Sequence, residues 1–177
     1  MLEDTLLRHK YNRGRKDVLP RIYEKYKHDL VSLAAALLQD KSKAEDVVHD
    51  LFVSLLETDR QLRINQTLKG YLATAVANRA RTASRLSLVR QTTPNSYDPE
   101  NSVTADNQAV FGEEKQYLVS ALAQLPYEQR EVILLKIVSG LKFKDIAKSQ
   151  DVSINTVQGR YRYGLEKLRK LLDGELI

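Results

Sequence analysis

Asn155, Gln158 and Arg162 recur at steps of three and four residues near the C-terminus, with Gly159 between them and Thr156, Arg160 and Tyr163 at their flanks. That spacing places them on one face of a helix. Their chemistry is recognition rather than reaction: a guanidinium forks onto guanine, and a carboxamide onto adenine, in the major groove. Just upstream, Lys142, Lys144 and Lys148 carry ammonium groups suited to phosphate oxygens. A second group lies earlier, where Tyr71 and Asn78 share a face among Lys69, Arg79, Arg81 and Arg85, behind a polar segment with Arg63, Asn65 and Gln66. An aromatic ring among cations can stack an unpaired base while arginines hold its backbone. Tyr71 as a core residue with its hydroxyl at the surface fits that helix equally well. Catalytic groupings are poor by comparison. The three histidines (His9, His28, His49) are scattered, there is no cysteine, and no HExxH or glycine-rich phosphate loop occurs. His49 beside Asp50 reads as a surface pair. No enzyme, metal, cofactor or small-molecule substrate is expected.

The elements that must position the first group are two short helices and a turn. Phe143, Ile146 and Ala147 have helical spacing, Val152 reads as a buried plug, and Ser153 as the N-cap of the next helix. Val157, Tyr161, Leu165, Leu168 and Leu172 then form one apolar stripe. Two helices with a tight turn, the second showing amides and guanidiniums outward, predict a helix-turn-helix. From Lys142 to Leu172 there are eight basic and three acidic residues, a net of +5, which suits a polyanion.

The chain of 177 residues, 42% hydrophobic with only seven Gly and four Pro, predicts an all-α protein. Its formal charge of +5 and pI near 9.3 agree with nucleic-acid binding. The lack of cysteine excludes a disulfide framework. No apolar run approaches the roughly 20 residues of a membrane span, and the start MLEDTLLRHK lacks a signal-peptide core, so no membrane partner and a cytoplasmic location are expected. Residues 1–16 are polar and basic, read as a frayed arm or short helix without function. Asp17 is expected to cap a helix carrying Leu19, Ile22, Tyr23, Tyr26, Leu30, Leu33 and Leu37 inward. Ser42 and Glu45 form an S-x-x-E capping box ahead of an amphipathic pattern of Ala44, Val47, Val48, Leu51, Phe52, Leu55 and Leu56. A third helix runs from Thr67 to about Leu88. Gln39–Asp59 holds six acids and two bases, whereas Arg60–Arg90 holds seven bases and no acid. Either these charges face two different partners, or they neutralise each other within the bundle. Pro, Asn, Ser and Asp then dominate over 89–112, a linker that is acidic on balance. The predicted organisation is two small helical domains joined by an acidic flexible linker: residues 1–88, linker 89–114, and a four-helix domain with the helix-turn-helix at 115–177.

These stretches resemble, in order, the bacterial RNA polymerase sigma factors of the two-domain extracytoplasmic-function group. AEDVVHDLFVSL (44–55) is similar to that family's polymerase-binding helix, GYLATAVANRARTASR (70–85) to its −10 helix, and LPYEQREVILL (125–135) with the following helix-turn-helix to its −35 domain. The resemblance implies a factor that binds core RNA polymerase and promoter DNA, with an anti-sigma protein as a further partner. It implies polymerase docking through Asp46, Asp50 and Phe52. It implies −10 recognition through Arg60, Arg63, Asn65, Gln66, Tyr71, Asn78 and Arg79. For the −35 element it implies Asn155, Thr156, Gln158, Gly159, Arg160 and Arg162, with Lys142 and Lys144. Thr82 stands where many members carry Asp, and Tyr71 where many carry Trp, which implies altered promoter melting. Apart from the resemblance, a free-standing dimeric helix-turn-helix regulator also fits, although it leaves the charge polarity of the first domain unused.

Overall fold

The computed structural model describes residues 2–58, 64–92 and 113–174, and all regular structure among them is helical. The predicted contacts Arg60 and Arg63, and positions 93–112 of the expected linker, lie outside the described residues. The N-terminal group holds α1 (Leu2–Asn12), α2 (Leu19–Leu38), α3 (Lys41–Glu57) and α4 (Leu68–Thr92). The C-terminal group holds α5 (Glu113–Ala123), α6 (Tyr127–Ile137), α7 (Phe143–Gln150) and α8 (Ile154–Leu172). Both ends of the expected linker are thus helical: α4 continues to Thr92, and α5 begins at Glu113.

The N-terminal core follows the predicted stripes except at Leu56, which is exposed, and Tyr23, which is half-buried. Ile22, Leu30, Leu33 and Leu37 of α2 meet Val48, Leu51 and Leu55 of α3 and Leu68, Leu72 and Val76 of α4, all nearly inaccessible to solvent. Each such side chain contributes roughly 1.5–3 kcal/mol on burial. Pro20 sits in the first turn of α2, where its missing N–H costs nothing. Capping departs from expectation twice. Val18, not Asp17, occupies the N-cap of α2, while Asp17 pairs with Arg15. The cap of α3 is Asp40, whose carboxylate accepts from the Lys43 amide at 3.0 Å, leaving Ser42 and Glu45 inside the helix. The left-handed Gln39 (φ 57°) turns the chain so sharply that α3 starts ahead of the Ser-x-x-Glu box.

Burial opposes ionisation of Asp40, but the Lys43 amide and ammonium outweigh it and hold the carboxyl below its ordinary range. Its stabilising effect is therefore complete above the ordinary aspartate pKa, and is lost as pH falls through the lowered value. Asp40→Ala should cost about 1 kcal/mol, as typical N-caps do, with the deficit shrinking in acid. Urea unfolding of both proteins at neutral and acidic pH measures it.

Of the two readings of residues 1–16, a frayed arm or a short helix, the chain takes the helix, and it is docked. Leu7 and Tyr11 are buried, and Glu3 and Asp4 pair with Arg21 and Lys25 of α2. Asp4 also accepts from the Tyr26 hydroxyl at 2.7 Å. These are long-range polar pairings, invisible to a periodicity argument.

In the C-terminal group, Val132, Ile133, Leu134 and Leu135 of α6 pack under Ile146, Ala147, Val157 and Leu168. The stripe of α8 ends on Leu171, with Leu172 turned outward, because a 3.6-residue period drifts against a repeated four-residue step. Gly164 lets α8 lie close on α6: a Cβ there would stand 2.9 Å from Ile133 Cδ1 and 3.1 Å from Gln129 Cβ. Gly140, two residues beyond the α6 C-cap, takes the left-handed φ of 67° that turns the chain toward α7.

The two groups touch. Arg130, almost fully buried, donates to the carbonyls of Ala123 and Leu37, at 3.2 and 3.0 Å, and so closes the C-terminal end of α2. Gln39 donates to the same Ala123 carbonyl at 3.1 Å. Leu141 lies against Gly70 of α4. Between α4 and α6, the Arg81 guanidinium forks onto the carboxylate of Glu131, which is 1% exposed.

Candidate nucleic-acid interface

The helix-turn-helix is built as its sequence predicts. The α7 helix ends in Asp151, at a left-handed φ of 53°, and the Val152 amide donates back to Ala147 O at 3.1 Å. Val152 is half-buried against the core. Ser153 caps α8, its hydroxyl accepting from the Thr156 amide at 3.0 Å. The Phe143 and Tyr161 rings meet edge-on at 5.2 Å and lock the two helices together.

Above this seat Asn155, Thr156, Gln158 and Arg162 are exposed, as are Lys142 and Lys144 at the start of α7. Arg162 lies over the Tyr163 ring, 4.8 Å from its centroid, and donates to its hydroxyl at 3.1 Å. Nothing lies within 4 Å of a Cβ built at Gly159, so internal packing does not require a glycine there. The missing side chain leaves room for an approaching partner. Thr156 is partly committed, since its hydroxyl also bonds Ser153 Oγ at 2.8 Å. Arg160 departs from the expected reading face. It is half-buried and donates to Gln150 Oε1 at 2.8 Å, lining a cleft of about 170 Å³ with Arg81, Arg85, Tyr127 and Glu131. Its place on the helix turns it toward α4 instead of outward beside Gln158.

On the N-terminal group, Asn65 and Asn78 are exposed, and Gln66 and Arg79 half-buried. Asn78 Oδ1 accepts from Arg81 Nη1 at 3.2 Å. Tyr71 follows the blander alternative: it packs against the core, and burial raises its phenol above the ordinary value. Its ring is not a free stacking platform in this arrangement. Thr82 donates back to the Asn78 carbonyl at 3.1 Å, so its hydroxyl is engaged within α4.

The acidic residues Asp46 and Asp50 are exposed on α3. Phe52 is not an exposed contact: it is 6% accessible and meets Tyr23 edge-on at 5.0 Å. Only its rim reaches a groove of about 340 Å³, shared with Leu19, Pro20, His49, Val53 and Leu56. Among the described residues no ion pair joins the acids of α3 to the cations of α4. Lys69 reaches Asp29 of α2, and Arg81 reaches Glu131 of α6. The two faces are therefore not joined to each other by direct ion pairs among these residues. Sequence reasoning missed Asn12, Arg130 and Glu131, whose roles depend on partners 50 or more positions away. No helix among the described residues is long and apolar enough to cross a membrane.

Comparison with known proteins agrees with this geometry. Residues 22–87 match the model of Sigma-70 region 2, and residues 115–168 that of Sigma-70, region 4. The RNA polymerase sigma factor CarQ of Myxococcus xanthus is 26% identical over 175 residues, covering 94% of this chain and 95% of that protein. The ECF RNA polymerase sigma factor SigX of Bacillus subtilis (strain 168) is 24% identical, covering 86% and 82%. Two solved structures share the fold at 23% identity each. One is CnrH in complex with the cytosolic domain of CnrY, with a TM-score of 0.61 and 97% of both chains covered. The other is the sigma factor RpoE with the anti-sigma factor NepR from Bartonella quintana, with a TM-score of 0.66, covering 86% of this chain and 97% of that one. With two regions of one family found in order over more than half its length, the chain belongs to the sigma-70 family of RNA polymerase sigma factors, in the extracytoplasmic-function group.

Proposed function

We propose that this protein is a promoter-specificity subunit, without catalysis of its own, that acts in the cytoplasm on core RNA polymerase and promoter DNA. Residues 1–88 hold the polymerase-docking and −10 functions, 89–114 connect, and 115–177 read the −35 element. The observation that carries this reading is the capped, exposed Asn155–Gln158–Arg162 face on a chain whose α3 acids are left unpaired by α4. Lys142 and Lys144 meet phosphates while that face meets base edges, each good base contact discriminating by about 1–3 kcal/mol. Asn65, Gln66 and Asn78, flanked by Arg79, face the opened strand. Flipping a base out costs a few kcal/mol, offset only where a prepared site accepts that base. Asp46 and Asp50, beside the apolar groove rimmed by Phe52, dock onto a basic polymerase surface. Tethering both modules to polymerase raises the effective concentration of the second contact once the first is made. An anti-sigma protein is a further partner, in keeping with the sigma–anti-sigma complex among the structures of the same fold.

The decisive experiment is reconstitution with core RNA polymerase, followed by sequencing of transcript starts across a genomic template. A shared −35 and −10 pattern upstream of the starts is expected; failure to initiate anywhere refutes the reading. Asp50→Arg reverses an exposed charge without touching the core, so folding should be unchanged while core-polymerase affinity falls about tenfold or more. Circular dichroism and a polymerase pull-down measure the two effects.

A further inference from the structure

The α1 helix lies outside both family matches, yet it grips the segment that leads into α4. Asn12 is bonded twice to the backbone of one residue of that segment. Its Nδ2 donates to Ile64 O at 3.2 Å, and its Oδ1 accepts from the Ile64 amide at 2.9 Å. Arg8 donates to Gln66 O at 2.8 Å. Ile64 is 4% exposed and plugs into the core, and Thr67 Oγ1 accepts from the Gly70 amide at 3.1 Å, capping α4. Between these anchors the Asn65 side chain is exposed and Gln66 half-exposed. A carboxamide carries a donor and an acceptor in a single plane, which lets it pair with the N–H and C=O of one residue as a neighbouring strand would. The helix itself is held by Leu7, by Tyr11, whose hydroxyl donates to Leu55 O at 3.4 Å, and by the Glu3 and Asp4 pairs.

We infer that Asn12, assisted by Arg8, is a positioning residue for base recognition: it fixes the backbone of residues 64–66 so that Asn65 and Gln66 meet an unpaired base in one orientation. This rests on the proposed role of that segment at the −10 element. Without the clamp the segment must be ordered when DNA binds, and that entropy is subtracted from the cognate and wrong bases alike. What the clamp adds is discrimination, since a segment free to adjust fits several bases and a fixed one fits a single base.

The test uses holoenzyme reconstituted from core RNA polymerase and the full chain, on a promoter obtained from transcript-start mapping and substituted one base at a time across its −10 element. Asn65→Ala and Gln66→Ala should change the preference at one position. Asn12→Ala should lower the preference at that same position roughly tenfold, within the range that one well-made base contact discriminates, with −35 preference and polymerase association unchanged. Arg8→Ala, which opens no core space, should act in the same direction, and Arg8→Lys, which keeps a donor, should recover most of it. If the Asn65 and Gln66 variants alter preference while Asn12→Ala and Arg8→Ala slow every promoter equally, α1 is merely structural and the inference fails. If the Asn65 and Gln66 variants alter no position, the proposed reading of the segment fails first, and this inference with it.

Discussion

Arg81→Ala separates the two helical groups without unfolding either. Glu131 is 1% exposed, and the Arg81 fork is the only ion pair it makes among the described residues. Removing one member of a buried pair typically costs about 3–5 kcal/mol, because the other charge is left uncompensated. Here the carboxylate has a cheaper escape than unfolding, since withdrawal of α4 returns it to water. The other contacts between the groups include Arg130 and Gln39 on backbone carbonyls, and Leu141 against Gly70. Tyr127 Oη and Gln150 Nε2 are buried there without a hydrogen-bond partner, so the contact is also imperfectly satisfied. The radius of gyration from small-angle scattering should rise while helical circular dichroism stays constant. An unchanged radius with a lowered melting temperature would show that the pair stabilises a group internally and does not fasten the two together.

The same pair sets a pH dependence. Burial raises the Glu131 carboxyl above its ordinary value, and the Arg81 guanidinium opposes the shift without cancelling it. A raised carboxyl binds its proton more tightly in the closed form. The closed form is therefore favoured in acid and weakens as pH rises from the ordinary glutamate range through the raised value. In Arg81→Ala the opposing guanidinium is gone, so acidification should draw the separated groups together again.

The second large effect concerns the reading face. Arg162→Ala should cut initiation at a cognate promoter by about 10–100-fold and flatten the preference at one −35 position, with polymerase binding intact. The magnitude follows from the roughly 1–3 kcal/mol that one bidentate base contact discriminates. Arg162 is exposed and its only described partner is the adjacent Tyr163, so truncation leaves no buried group unpaired and folding should be unaffected. In vitro transcription on promoters varied across the −35 element measures it. Preference unchanged at every position would place the reading face elsewhere on α8.

What was legible in the sequence was whatever repeats along a helix or sits beside its own partner. The stripes of α2 and α3, and the Ser153 cap of α8, are local patterns, and apart from the half-buried Tyr23 and the exposed Leu56 they stand where the spacing puts them. The Asp40 cap was hidden because DKSKAE offers two plausible starts, and only the backbone turn at Gln39 selects the earlier one. The docking of α1 left no signal, since only Leu7 and Tyr11 of its side chains are buried and the rest of its hold is polar and distant. Arg160 was assigned to the outer face from its neighbours, whereas Gln150, ten positions away, draws it toward the cleft. Tyr71 could have faced either way on helical spacing, and packing against the core decided it.

Gly164 lies off the proposed reading face, yet it bears on how that face is held. With 2.9 Å to Ile133 Cδ1 and 3.1 Å to Gln129 Cβ where a methyl would go, the rod carrying Asn155, Gln158 and Arg162 is seated closely on α6. A bulkier residue there would tilt the whole row at once, and a fraction of an ångström at the pivot grows toward the tip. The alignment of the readout is thus fixed by one omitted carbon atom, at a site that an inventory of contacting residues would pass over.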